Sequence, residues 1–413
     1  MLTSPYANVP LFRRSIFTHL LGTSPDTPDL VGSFPATSPV FIDAATGAVI
    51  TRAALRSYAL QFAYSLHNPP TPLAHPPHLA APHTVLIFSP NNIVWPILLH
   101  GVAAAGFRAT LANSAYTSAE LAHQYANAGA HFVFTHPTLV PTVQGALQSL
   151  GCTESEIRSR VVVITSHWLT GVADSGPTDA VHLVQLNTFF GRGALEKEVS
   201  FDGERSDETM CLCYSSGTTG RPKGVETTHY NLVSLVEIMK VGWPKTAPCL
   251  TPSVPRDASE GLRPDVFFGS LPYYHTYGAV QVLMFPLSRG NPVVVMGGFD
   301  PMRFCEAVER YRATVVLVVP PMLVVLARHE GKRLGGLVDV VRTHELISSV
   351  DSYRQVRYDF HAHALLGRCT PGSRPRRNRK KASPESRCQR CCLSMCVLLA
   401  HYMLPIALTF LAR

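Results

Sequence analysis

The sequence predicts an α/β fold of parallel sheets with helices on both faces, and three observations carry that expectation. Strand-length runs alternate with helical patterns at short spacing through most of the chain. Several of those runs, such as Val85 to Phe88 and Val161 to Ile164, are apolar throughout, as strands buried on both faces of a parallel sheet are. The densest polar motif, Tyr214 to Val225, comes after a strand-like segment and precedes a helical one, which is where α/β proteins bind nucleotides.

Taken in order, Val40 to Asp43 and Gly47 to Ile50 predict a short hairpin. Thr51 caps an expected helix to His67, with Leu55, Tyr58, Ala59 and Phe62 on one face. After a Pro-rich stretch, the strand Val85 to Phe88 leads through the turn Ser89-Pro90-Asn91-Asn92 into a buried helix, Val94 to Ala105, stopped at Gly106. Thr117 and Glu120 have capping-box spacing before another helix, and His131 to Thr135 reads as the next strand. Thr209 to Tyr214 alternates like a strand. Thr228 is placed to cap a helix with Leu232, Leu235, Val236 and Met239 on its apolar face. Further on, Asp265 to Leu271 is an expected strand, with a helix through Val282, Leu283, Phe285 and Leu287 after it. The strand Pro292 to Met296, a helix capped by Asp300 with Pro301 in its first turn, the strand Thr314 to Val319 and a helix from Pro321 complete the pattern.

The motif reads Tyr-Ser-Ser-Gly-Thr-Thr-Gly-Arg-Pro-Lys-Gly-Val. Ser215, Ser216, Thr218 and Thr219 supply hydroxyl donors, Gly217, Gly220 and Gly224 let backbone N–H groups turn outward, and Lys223 adds a compact positive charge. That equipment suits a polyphosphate. It is not the common P-loop, because the position five beyond Gly217 is Pro222 rather than glycine.

The stretch resembles the phosphate-binding signature of the AMP-forming acyl-CoA synthetases, the adenylate-forming ligases. Ser4 to Pro10, Ser89 to Asn92 and Ala112 to Gln124 are similar to segments of the 4-coumarate-CoA ligase-like branch, and the resemblance runs from about Ser4 to Arg342. It implies the large N-terminal domain of that fold, with stacked mixed and parallel sheets, in an incomplete form without the small C-terminal lid domain. It also implies activation of a carboxylic acid of aryl or fatty type by ATP, with Mg²⁺ held on the phosphates, and transfer of the acyl group to coenzyme A. Ser215, Ser216, Gly217, Thr218, Thr219, Gly220 and Lys223 match the phosphate loop. His275 and Tyr277 match the second motif, at the acyl pocket, and Gln281, four beyond the tyrosine, matches a further pocket position. The resemblance gives catalytic roles to Lys223 and His275 and assigns no metal ligand to the protein. Gly298 stands where the branch has a lysine near coenzyme A. Nothing matches the aromatic-Gly-Thr-Glu motif, the Thr-Gly-Asp motif or the C-terminal domain with its lysine, so weak ATP binding and little ligase activity are expected. Two rival readings are a non-catalytic remnant that binds a ligand or partner and an adenylation domain that loads a carrier protein.

A chain of 413 residues, 46% hydrophobic, has material for two or three domains. Its net charge of +8 lies wholly in residues 343–413, so residues 1–342 are neutral and nucleic-acid binding loses its support. Five of ten cysteines also fall in that tail; Cys152, Cys211, Cys213, Cys249 and Cys305 in the body read as free thiols of a reducing compartment, and cytosol is the expected location. The tail carries a basic run from Arg374 to Lys381, the cluster Cys388, Cys391, Cys392 and Cys396, and an apolar stretch from Leu393 to Ala412. Three readings stand for it: a membrane anchor with a polybasic neck, a zinc site including His401, or a mistranslated segment that is not an evolved domain.

Overall fold

The computed structural model describes residues 9–73, 83–172, 182–215, 221–243 and 265–328. The chain first forms α1 (Ile16–Leu21), the short pair β1 (Leu30–Val31) and β2 (Phe34–Pro35), the hairpin β3 (Pro39–Asp43) and β4 (Val49–Thr51), and α2 (Arg52–His67). Next come β5 (Thr84–Phe88), α3 (Trp95–Ala104), β6 (Arg108–Ala112), α4 (Ser118–Ala128), β7 (Ala130–Thr135), α5 (Val140–Ser149), α6 (Glu154–Arg158), β8 (Val161–Val163), α7 (His167–Thr170) and β9 (Val184–Gln185). The last described part holds β10 (Thr209–Ser215), β11 (Lys223–Thr228), α8 (His229–Gly242), β12 (Phe267–Gly269), α9 (Thr276–Leu283), β13 (Val293–Val295), α10 (Pro301–Arg310), β14 (Val315–Val316) and α11 (Pro320–Arg328).

Two main sheets result. One has seven strands in the order β11-β10-β6-β5-β7-β8-β9, parallel except for β11 at its edge. The other has five, β14-β12-β13-β3-β4, parallel except for β4 at its edge. Every residue of β5 and α3 is buried, as the unbroken apolar runs anticipate. Helix starts obey their caps: Thr51, Thr117, Thr228 and Asp300 each accept a backbone N–H of the first turn, and Thr117–Glu120 closes the expected capping box.

Several expected elements shift. The helix anticipated through Phe285 and Leu287 begins at Thr276 and ends at Leu283, because His275 caps it; Leu287 belongs to a separate 3₁₀ turn. On α8 the buried apolar side chains are Leu232, Val233 and Val236, whereas Leu235 and Met239 are only partly covered. Strands β12, β13 and β14 are shorter than their apolar runs, since the flanking residues leave the ladders while staying buried. Cys211, Cys213 and Cys305 are buried free thiols and Cys152 is partly covered. Among the described residues no helix is long and apolar enough to cross a membrane. Cys249 and the whole tail 343–413, with its expected span and cysteine cluster, lie outside the described residues.

Polar side chains tie the layers together. Arg52, fully buried at the start of α2, donates to the carbonyls of Leu20 (3.1 Å), Val31 (3.4 Å) and Leu287 (2.6 Å) and lies over the Phe34 ring. Asn91, after β5, donates through Nδ2 to Leu271 O (2.7 Å) and accepts at Oδ1 from Tyr273 N (2.9 Å), so one carboxamide joins the seven-stranded sheet to the chain leaving β12. Asn92 accepts from the N–H groups of Val94 and Trp95 and so starts α3.

Two buried histidines are kept neutral. His100 Nε2 donates to Leu283 O (3.1 Å), and burial, helped by nearby Arg52, lowers its pKa from 6.5 to about 4. His229 Nδ1 accepts from Ile16 N (3.3 Å) while its ring stacks on Phe201; burial, with Arg205 adding, lowers its pKa from 6.5 to about 3.

Below pH 6.5 the unfolded chain takes up these two protons and the folded chain does not, so stability is complete above that pH and falls as acid is added. Between pH 7.5 and 5 each histidine should cost about 2 kcal/mol, read from urea unfolding at the two pH values, and the His100→Gln/His229→Gln double variant should lose most of that slope. Asn91→Ala should cost about 2–4 kcal/mol in the same assay, because it leaves a buried N–H and a buried carbonyl unpaired. Asn91→Asp should not restore that loss, since a carboxylate cannot donate to Leu271 O.

Candidate active site

Strand β10 carries the sequence motif to the edge of the seven-stranded sheet. It ends at Ser215, and β11 returns from Lys223 with Tyr214 opposite Gly224 and Ser215 opposite Lys223. Ser216, Gly217, Thr218, Thr219 and Gly220 lie outside the described residues. The motif therefore turns an antiparallel hairpin, not the strand-to-helix connection anticipated, and α8 begins only after β11. The cause lies in the sequence after the motif: Gly224, Val225, Glu226 and Thr227 give a ladder-forming run before the Thr228 cap. Arg221 and Lys223 are both exposed at the hairpin mouth, with no carboxylate in ion-pair range among the described residues. Two uncompensated cations beside a hydroxyl-bearing strand end fit an anionic ligand.

One face of β10 looks toward the second motif. Cys211 and Cys213 are both buried on it. The Cys211 thiol and the Thr276 hydroxyl both lie near the Cys213 sulfur and hold Cys213 below the usual thiol range. Cys211, itself buried, is held well above that range. The Cys213–Thr276 contact sets the start of α9 against β10, two residues before Ser215.

That helix start is built tightly. A Cβ on Gly278 would come within 2.0 Å of Pro272 O, so only glycine lets the first turn of α9 close on the preceding segment. His275 is the N-cap, its Nδ1 accepting from Tyr277 N at 3.2 Å. The ring is exposed rather than part of the core, yet its capping edge has lost solvent and its pKa lies below the usual histidine value. With Nδ1 accepting, the neutral ring carries its proton on Nε2, and that N–H has no partner among the described residues.

Tyr277 and Gln281, one helical turn apart, share a buried face of α9. Burial pushes the Tyr277 phenol up to about 12, so it remains a neutral donor. Gln281 is only 9% exposed; among the described residues its Nε2 reaches only the Met239 sulfur of α8, at 3.5 Å, and its Oε1 has no hydrogen-bond partner. Gly298, in place of the lysine of the branch, is exposed with open space where a side chain would begin.

Ser215 and Lys223 face each other across the β10–β11 hairpin, while His275 caps α9 and Tyr277 and Gln281 lie along it, with Thr276 at its start close to Cys213 of β10. Asn91, Cys213 and Thr276 join them without having been anticipated. Asn91 has a sequence signal, the paired asparagines after Ser89-Pro90, but the Cys213–Thr276 link depends on a strand and a helix meeting in space. Among the described residues no group of three or more His, Cys, Asp or Glu side chains is placed to hold a metal ion.

Residues 78–358 match the family model described as AMP-binding enzyme. The chain is 32% identical over 299 residues to 4-coumarate-CoA ligase 1 of Narcissus pseudonarcissus, covering 71% of this chain and 46% of that protein. It is 28% identical over 313 residues to 4-coumarate–CoA ligase-like 3 of Arabidopsis thaliana, covering 73% and 49%. The chain therefore spans about half the length of these relatives. The solved structure of ATP-bound MatB from Rhodopseudomonas palustris superposes with a TM-score of 0.56 at 21% identity, over 78% of this chain and 52% of that one. The chain therefore belongs to the AMP-binding enzyme family, in its 4-coumarate-CoA ligase-like acyl-CoA synthetase branch.

Proposed function

We propose that this chain holds the phosphates of ATP and a carboxylic acid side by side for formation of an acyl adenylate, with coenzyme A as the acceptor of the acyl group. The observation that carries the reading is the approach of Thr276, next to His275 at the start of α9, to Cys213 on the strand that runs into the phosphate motif. In the reaction a carboxylate oxygen attacks the α-phosphorus of ATP, the bond to the bridging oxygen breaks and pyrophosphate leaves; the coenzyme A thiol then takes the acyl group and AMP leaves.

On this reading Lys223 and Arg221 neutralise phosphate charge, while Ser215 and the motif residues Ser216 to Gly220 supply donors. Magnesium, held by phosphate oxygens, would share that neutralisation. His275, neutral at physiological pH, offers its Nε2–H to oxygen at the junction of acid and nucleotide. Tyr277 and Gln281 wall the acid on the other side. The unpartnered Gln281 Oε1 favours an acid that carries a hydrogen-bond donor, because burying an unsatisfied carboxamide oxygen otherwise costs about 1–3 kcal/mol. An aryl acid with a hydroxyl meets that requirement and a plain alkyl chain does not. Residues 1–342 as the ligase portion, 343–413 as a separate tail and a cytosolic location belong to the same proposal.

Lys223→Ala should weaken Mg·ATP binding, measured by titration calorimetry, by at least about tenfold, with little change in thermal stability because the side chain is exposed. Unchanged affinity would remove Lys223 from the phosphate site. Gln281→Leu should raise stability by up to about 1 kcal/mol by removing the unpaired oxygen. The same variant should shift acid binding from hydroxyaryl toward alkyl acids by roughly tenfold, and an unaltered preference would place Gln281 outside the acid pocket.

A further inference from the structure

The motif needs its two ends held at a fixed separation, and the β10–β11 ladder is not the only thing that holds them. We infer that the outer face of α4 is a clamp on the mouth of the hairpin, with His123 and Asn127 as positioning residues for the phosphate site. The two side chains are one helical turn apart and share a face. His123 Nε2 donates to Pro222 O at 3.0 Å, on the strand leaving the motif. Its ring meets Tyr214 edge-on, with centroids 6.5 Å apart, on the strand entering the motif. Asn127 Oδ1 accepts from the Tyr214 phenol at 2.6 Å. One helix face therefore grips both ends.

Three features make this grip specific to the site. Pro222 has no N–H and cannot donate to the ladder, so its carbonyl is the handle that remains. Glycine opposite Tyr214 leaves room for its ring to lie toward α4: a Cβ on Gly224 would come within 3.1 Å of that ring and push it by a few tenths of an ångström. The space between α4 and the hairpin is a cavity of about 540 Å³, lined by Tyr116, His123, Asn127, Tyr214 and Arg221 among others. Across a hollow, packing does not set the distance, and the polar links must. A displacement of the motif ends by a fraction of an ångström would misalign several phosphate donors at once.

The inference rests on the proposed phosphate role of the motif, and its test separates the two. Mg·ATP affinity and thermal stability would be measured for the full chain, His123→Ala and His123→Gln, together with amide hydrogen exchange at Tyr214–Ser215 and Arg221–Val225. His123→Ala should bind Mg·ATP roughly tenfold more weakly, with acid affinity and stability nearly unchanged. His123→Gln should recover most of that loss, because a carboxamide N–H reaches the same carbonyl. Equal affinity of His123→Ala and the unmodified chain, or a glutamine variant no better than alanine, would overturn the clamp. If the unmodified chain binds no Mg·ATP, the phosphate reading itself fails; the clamp then stands on faster exchange at the hairpin mouth in His123→Ala, and equal exchange overturns it as well.

Discussion

One carboxamide ties the two sheets of this protein together. Asn91 makes two backbone hydrogen bonds to the segment leaving β12, and both partners are buried. A side chain that satisfies a donor and an acceptor at once fixes both the distance and the rotation of that segment. The chain downstream inherits the placement: Tyr273 reaches back to Gly269 O, Gly278 closes on Pro272, and His275 caps α9. Apolar packing alone would allow the layers to slide. The carboxamide does not.

Three buried ionisable side chains, Arg52, His100 and His229, are accommodated in two different ways. Arg52 is a fully buried cation without a carboxylate partner among the described residues; its charge is spread over three carbonyls from three segments and one aromatic face. Burial lowers its pKa only to about 10, so it stays charged and acts as a tie between α1, β1 and the turn after α9. His100 and His229 are held neutral instead. Donor chemistry explains this division. A guanidinium can satisfy several carbonyls, whereas His229 must keep Nδ1 unprotonated to accept from Ile16 N.

Much of this is legible in the sequence, for reasons that differ by element. The buried strands and α3 are unbroken apolar runs, and the helices at Thr51, Thr117, Thr228 and Asp300 announce themselves through local cap chemistry. Local rules fail where a tertiary partner decides. The hairpin after Ser215 escapes them because Gly224 looks like part of a flexible motif, and its ladder role emerges only when Tyr214 lies against it. Helix α9 is displaced from its expected span because His275, part of the second motif, is also a cap. Asn91 and the Cys213–Thr276 link join residues far apart in sequence, for which no periodicity leaves a trace.

His275 shows why one side chain serves both purposes here. A cap must present an acceptor to the helix N–H groups, and Nδ1 does so. That bond fixes the ring orientation and the tautomer, leaving Nε2–H as a donor directed away from the helix. Serine or threonine in the same position would cap equally well but offers no second, fixed donor. The capping bond thus removes ring rotation and tautomer exchange from the cost of any hydrogen bond the Nε2–H makes. Lowered basicity acts in the same direction, because a neutral ring keeps the capping acceptor that a protonated ring would lose.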